Sequence, residues 1–250
     1  MGLGATRMTF SRERPGERMG TTMSSRFYLP ANTADDWRAL LADPQKHWRT
    51  GYSARSLAYC WMDAAHFPPE VVQALESARN PALHPLELLA AFPEHQVPLP
   101  GGRRPSQNDI WLLARGCAGL VSITVEGKVA EPFDKPVSEW LATASPGRDA
   151  RLKYLCETIG IDRSRVDAVR YQLLHRAASA VIEARQFCCT QAVMLVHSFS
   201  QTHEWFADFA AFAQLYGADI QRGTVAQVAV LDGVHLSLGW VTGDPAFLSR

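Results

Sequence analysis

Between Ser106 and Val129 the chain reads as two arms joined by a turn, and this segment constrains the fold more than any other. Its second arm alternates. Val121, Ile123 and Val125 fall on one side, and Ser122, Thr124, Glu126 and Lys128 on the other, which is the period of two that a strand imposes. The first arm, Ser106 to Arg115, is ambiguous between strand and helix when taken alone. Closing the two arms through Gly116-Cys117-Ala118-Gly119 resolves it, with Arg115 opposite Leu120, Leu113 opposite Ser122, Trp111 opposite Thr124 and Asp109 opposite Glu126. Ile110, Leu112 and Ala114 then join Val121, Ile123 and Val125 in one continuous apolar surface, as a half-buried sheet requires.

The same register sets Asp109 and Glu126 directly across from one another, with about 5 Å between their Cβ atoms. Like charges at that spacing repel, and a divalent cation between them removes the penalty. Mg²⁺ or Mn²⁺ suits such a site, taking one or two carboxylates together with water and phosphate oxygens. Lys128 lies two residues beyond Glu126 and therefore on the same face. Its ammonium is placed to touch an attacking water or a phosphate. Arginine dominates the basic residues of this chain, and Lys46, Lys128, Lys135 and Lys153 are its lysines. A compact ammonium at this one polar strand position therefore stands out.

An Asp followed, after a hairpin's length, by Glu-x-Lys in the next strand resembles the pattern of PD-(D/E)XK nucleases. Asp109, Glu126 and Lys128 match that pattern residue by residue, with Asn108 where the family name has Pro. The resemblance implies an α/β fold with a mixed sheet, of restriction-endonuclease-like α-β-β-β-α-β core. It also implies metal-dependent cleavage of phosphodiester bonds in DNA or RNA, with Asp109 and Glu126 holding the metal. Such nucleases often carry a polar residue on the helix after Glu-x-Lys, pointing into the site. Gln172 is the candidate, with Arg104, Arg170, Tyr171 and Arg176 as substrate contacts. A further acidic ligand from the first core helix is also implied, and Glu87 is chosen ahead of Glu76. The runs GYSARSLAYCWMDAA, NDIWLLARG, VEGKVAEPFD, RYQLLHRAASAVIEA, VMLVHSF and WVTGD are similar to an uncharacterised bacterial family within that superfamily, over most of residues 27–245.

The rest of the chain organises around this core. Residues 1–25 are polar, carry Arg7, Arg12, Arg14 and Arg18, and read as a disordered basic tail. Residues 26–94 read as a helical region packed on the core: a helix capped at Thr33, one opened by Ser53, one by Pro69, and one from Pro85 to Phe92. Residues 95–250 are assigned to the nuclease-like core. There Gln96 to Leu99 is a short extended piece, and helices span Val137 to Ala142, Asp149 to Ile159 and Val169 to about Gln186. The last is amphipathic, with Gln172, His175, Arg176 and Ser179 along a polar stripe. Ala192 to Phe199 is a continuous apolar run suited to a strand covered on both sides. Asp232-Gly233 between two apolar runs marks a type I′ hairpin.

Formal net charge is zero, which argues against a general nucleic-acid coat protein but leaves room for a local site. No run of about 18 apolar residues appears, so no membrane span is expected. The five cysteines follow no zinc spacing and read as buried free thiols of a cytoplasmic protein. Trp37, Trp48 and Trp61 sit at helical positions and read as core rather than as stacking platforms. Nucleic acid is the expected partner, and a homodimer is compatible with the pattern. The competing expectation is a catalytically silent module of the same fold that binds nucleic acid or a partner protein.

Overall fold

The structure, a computed structural model, describes residues 31–143 and 145–250; the N-terminal tail read from residues 1–25 lies outside them. The first element of the described residues is a 3₁₀ helix, Ala34–Leu40, in which Thr33 and Asp36 form a capping box. Short α1 (Pro44–His47), α2 (Ser53–Ala64) and α3 (Pro69–Ser77) follow. Then come strands β1 (Glu87–Val97), β2 (Ser106–Gly116) and β3 (Gly119–Lys128). Helices α4 (Val137–Leu141), α5 (Pro146–Ile159) and α6 (Tyr171–Gln186) lead to β4 (Gln191–Ser198). Helix α7 (Phe206–Gln214) and the hairpin β5 (Thr224–Leu231) and β6 (Val234–Thr242) complete the fold.

The six strands form one mixed sheet in the order β1-β2-β3-β4-β6-β5. Pairs β1–β2, β2–β3 and β5–β6 are antiparallel, whereas β4 runs parallel to both β3 and β6. The chain is thus an α/β protein with a mixed sheet. The hairpin register agrees with the pattern argument: Arg115 faces Leu120, Leu113 faces Ser122 and Trp111 faces Thr124. Its turn is tighter than expected, because Gly116 and Gly119 still pair and only Cys117 and Ala118 lie between them. At the β5–β6 turn both Asp232 (φ 51°) and Gly233 (φ 84°) have positive φ, the geometry of a type I′ turn.

Each face of the sheet carries its own core. Ile110, Leu112, Ala114, Val121, Ile123 and Val125 pack with Leu57, Trp61, Val71 and Leu75 of α2 and α3. On the other face α5, α6 and α7 cover Met194, Val196, Leu236 and Trp240. The polar side of β3 is not solvated, because α6 lies on it. Ser122 Oγ donates to the Ala180 carbonyl at 3.1 Å and Thr124 Oγ1 to that of Arg176 at 3.2 Å. Trp37 and Trp61 are buried, as expected of core aromatics. Cys60, Cys156 and Cys189 are buried, but Cys117 and Cys188 are exposed, so the reading of buried thiols holds for three of the five. Among the described residues no helix is long and apolar enough to cross a membrane.

One segment departs from its sequence reading. Pro85 to Phe92 is not a helix: from Glu87 onward it is β1, antiparallel to β2 along its length. Leu86-Glu87-Leu88-Leu89-Ala90-Ala91 is built of good helix formers after a proline, but pairing with an apolar partner strand overrides propensity. Pro93 within the strand is tolerated because β1 is the sheet edge. The boundary drawn between residues 94 and 95 therefore falls inside a strand, and the helical region ends before Glu87.

Candidate active site

The ladder between β2 and β3 ends at Ile110 opposite Val125, and Asp109 and Glu126 lie one step beyond it. Here the strand ends meet α6 and the N-terminal segment. Asp109, Glu126, Lys128, Gln172 and Arg176 line one pocket of about 290 Å³, with Glu94 and Gln107 beside them. The side chains form a closed set of contacts around Glu126. Lys128 Nζ donates to Glu126 Oε1 at 2.6 Å and to Gln172 Oε1 at 3.0 Å, and Gln172 Nε2 donates to the same Glu126 oxygen at 2.7 Å. Arg176 Nε bonds the second oxygen, Oε2. Lys128 also sits 4.9 Å from the ring centre of buried Phe133. Asp109 turns its Oδ2 to the Gly127 amide, which donates at 2.7 Å.

The placing of these groups follows from the local chain. Period two puts Glu126 and Lys128 on the α6 side of β3, and Gln172 and Arg176, four residues apart, share one helix face. Arg176 is held from behind: its Nη1 donates to Ser106 Oγ at 3.2 Å and faces His175 Nδ1 at the same distance. Burial, then the charge of Arg176, keep His175 well below the ordinary imidazole range. Since arginine can only donate, Nδ1 is the bare acceptor nitrogen of that neutral ring.

Glu94, and not the Glu87 chosen from the sequence, is the further acid that lines the pocket on the β1 side. It lies in β1 between Pro93, opposite Ile110, and His95, opposite Asn108, hence beside Asp109. Its φ of 53° is a left-handed backbone state that a glutamate rarely adopts, and it sits at the pocket. Its Oε2 accepts from Gln107 Nε2 at 2.6 Å. Glu87 is at the far end of the strand, six residues along β2 from Asp109, roughly 20 Å at strand rise. There it forms a surface ion pair with Arg115.

Of the four predicted substrate contacts, Arg104, Arg170 and Tyr171 do not line the pocket. Arg170 ion-pairs with Asp208 and lies over Trp205. Tyr171 is buried and stacks on Trp140 at 4.0 Å between ring centres. Arg104 is exposed in the β1–β2 loop and does not line the site. Arg176 is in the site but bound to Glu126, so its contact is with a carboxylate of the chain rather than with open solvent.

Charge in the pocket is unevenly compensated. Burial opposes ionisation of Glu126, but Arg176 and Lys128 outweigh it and hold its carboxyl below the ordinary value. Burial, then the charge of Glu126, push Asp109 up to about 7. Burial, then Asp109, push Glu94 up to about 8. Two of the three acids are therefore short of positive charge, the condition that an added cation relieves. The donors are all oxygen, the set that suits Mg²⁺ or Mn²⁺ rather than a thiophilic metal.

A second cluster lies behind this one, on the α2–α3 face of the sheet. Cys60, Glu70 and His197 place their ligand atoms within 4.8 Å of one another, close enough to hold a metal ion. Its hydrogen bonds argue against a metal. Trp61 Nε1 donates to His197 Nδ1 at 3.2 Å, so the ring proton is on Nε2 and is donated to Glu70 Oε1 at 3.2 Å. Cys60 donates to the same oxygen at 3.4 Å. For Nε2 to bind a metal, the proton would move to Nδ1 and face the indole N–H, donor against donor. Metal-bound histidines instead use the second nitrogen to donate.

Compared with known proteins, residues 30–245 match a family model described as a domain of unknown function, DUF6946. No curated protein and no solved structure shows a significant match.

Proposed function

The chain belongs to the DUF6946 family, and we propose that its pocket is a divalent-cation-dependent phosphodiesterase site, of PD-(D/E)XK type, acting on nucleic acid. The observation that carries the reading is the convergence of Glu94, Asp109, Glu126, Lys128 and Gln172 on one pocket at the ends of β2 and β3. The element order supports it: a three-stranded antiparallel meander, then α6 as crossover, then a strand parallel to the third.

Asp109 and Glu126 would hold Mg²⁺ or Mn²⁺, with Glu94 as the third acid in place of Glu87. Bound there, the cation would polarise the phosphoryl group and lower the pKa of a bound water. Glu126 retains acceptor capacity for it, since a carboxylate offers about four lone-pair directions. Gln172 and Glu126 fix the Lys128 ammonium through hydrogen bonds, so that its remaining proton is oriented at fixed cost before substrate arrives. Arg176 anchors Glu126 from α6 and keeps it ionised at neutral pH.

The test is cleavage of labelled DNA and RNA with Mn²⁺ or Mg²⁺ by the full chain, Glu126→Gln and Lys128→Met, beside calorimetric titration of each with metal. Cleavage and binding by wild type, with cleavage lost in both variants, is the expected result. Wild-type protein that binds nucleic acid but neither binds metal nor cuts in its presence would favour the silent module instead.

A further inference from the structure

Floor and walls of the pocket differ in character. The floor is ionic and recessed: the side chains of Glu126, Lys128 and Arg176 are 3%, 5% and 7% exposed. The walls are Leu41, Ala42, His47, Ser53, Ala54 and Pro132, with the carboxylate of Glu131 tied to the Ser53 amide and hydroxyl. At about 290 Å³ the half-open space is at the small end of ligand pockets. A groove that holds a duplex is open and far larger.

Charge points the same way. Among the described residues that line the pocket, Glu94, Asp109, Glu126 and Glu131 outnumber Lys128 and Arg176, and Glu126 already binds both cations. Exposed Lys46, Arg49, Arg103 and Arg104 do not line it. Both forms of nucleic acid are held through lysine or arginine contacts to phosphates, and a duplex, with two strands of phosphates, draws on more of them. The apolar and hydroxylated part of these walls, Leu41, Ala42, Ser53, Ala54 and Pro132, fits the face of a base and a sugar instead.

We infer, on the phosphodiesterase reading above, that the pocket takes one unpaired nucleotide and that the substrate is single-stranded nucleic acid. Residues 41–54 set this selectivity, because they form one wall above the carboxylates and keep a paired backbone from reaching Glu126. A duplex gains entry only by extruding a nucleotide, which costs the unstacking and unpairing energy.

The experiment uses the full chain with Mn²⁺ and end-labelled oligonucleotides: single-stranded DNA, single-stranded RNA, and the same DNA annealed to its complement. Ala42→Trp is tested alongside, since Ala42 is exposed on the wall and an indole there fills the pocket without disturbing the core. A single strand of DNA or RNA is expected to be cut at least about 100-fold faster than the duplex. Ala42→Trp is expected to slow that cleavage at least about tenfold while Mn²⁺ binding by calorimetry stays unchanged. Internal cuts in the duplex at the single-strand rate, or indifference to Ala42→Trp, would overturn this inference and leave the phosphodiesterase reading standing. Metal binding without cleavage of any substrate would overturn both.

Discussion

Glu126 and Glu70 each anchor a polar cluster, one on either face of the sheet where β3 and β4 end, and the two are balanced in opposite ways. Glu70 is one carboxylate with donors to spare. His197 and Cys60 both donate to it, the indole of Trp61 fixes the imidazole tautomer, and hydrogen bonding outweighs burial to hold the carboxyl below its ordinary value. Glu126 sits among three acids that share two cations, and its neighbours Asp109 and Glu94 are pushed up to about 7 and about 8. Proximity of ligand atoms alone would choose the face of Cys60, Glu70 and His197, whose ligand atoms lie within 4.8 Å of one another. What separates a site from a satisfied interior is the count of donors against acceptors and of charge against countercharge.

The strongest way to break this comparison is to remove each central acid and measure activity. Glu126→Gln keeps shape but loses the charge that would hold the cation, and cleavage is expected to fall at least about 100-fold. Glu70→Gln is expected to change the rate less than about threefold, because no atom of that cluster faces the pocket. Single-turnover rates with saturating Mn²⁺ decide between them. A large loss in Glu70→Gln with unchanged folding would place the chemistry on the other face.

The next effect is in proton uptake. Both raised acids have folded values above the unfolded range of about 4, so each stabilises the metal-free protein at low pH. That stabilisation is lost as pH rises from about 4 through about 8, where Asp109 and then Glu94 ionise in place. Metal-free protein should therefore melt at progressively lower temperature across this range, and Asp109→Asn should flatten the slope. Metal reverses the sign by favouring the ionised acids, so binding at pH 6 to 7 should release protons. Calorimetry in two buffers of different ionisation enthalpy measures that release. A release of zero would mean that the cation does not meet these carboxyls.

How much of this was legible in the chain depends on where each decision is made. The strand period of Val121 to Lys128 and the apolar match with Ile110, Leu112 and Ala114 fix register locally, and register fixes Asp109 beside Glu126. Gln172 and Arg176 were reachable from helical spacing once α6 was placed, although periodicity could not tell a solvated stripe from one laid over Glu126. Glu94 was not reachable in that way. Its strand is written in helix-forming residues, which hides the β1–β2 hairpin although the two strands are consecutive, and its carboxylate is aimed by a backbone state that no composition signals. Pro93 was the available clue, because a proline there ends a helix but is tolerated in an edge strand. Arg170 caps the start of α6 and Tyr171 is its first residue, where tertiary neighbours Asp208 and Trp140 claimed them.

A smaller effect sharpens the comparison from the other side. Glu70→Ala strands two buried donors, the His197 Nε2–H and the Cys60 thiol, and should cost about 1–3 kcal/mol. For a chain of this length that is about 2–4 °C of melting temperature per kcal/mol. Metal stoichiometry should stay the same in the variant. Zinc that copurifies with wild type and is lost from Glu70→Ala would contradict the tautomer argument, which leaves His197 no nitrogen free for a metal.

The smallest expected effect belongs to Glu87, and it is informative because sequence reasoning placed this residue in the site. Its partner Arg115 and its own side chain are 60% and 47% exposed, so the pair is screened by solvent. An exposed pair of this kind contributes about 0.2–1 kcal/mol. Glu87→Ala should therefore shift the melting temperature by no more than a few degrees and leave both metal affinity and cleavage rate at wild-type values. Glu94→Gln, seven residues along the same strand, should weaken metal binding and slow cleavage. The pair of variants asks whether the third acid comes from the edge strand at the pocket or from its distal end. If Glu87→Ala lost metal and Glu94→Gln did not, the β1 register that puts Glu94 beside Asp109 would be wrong, and with it the charge imbalance that distinguishes the two faces.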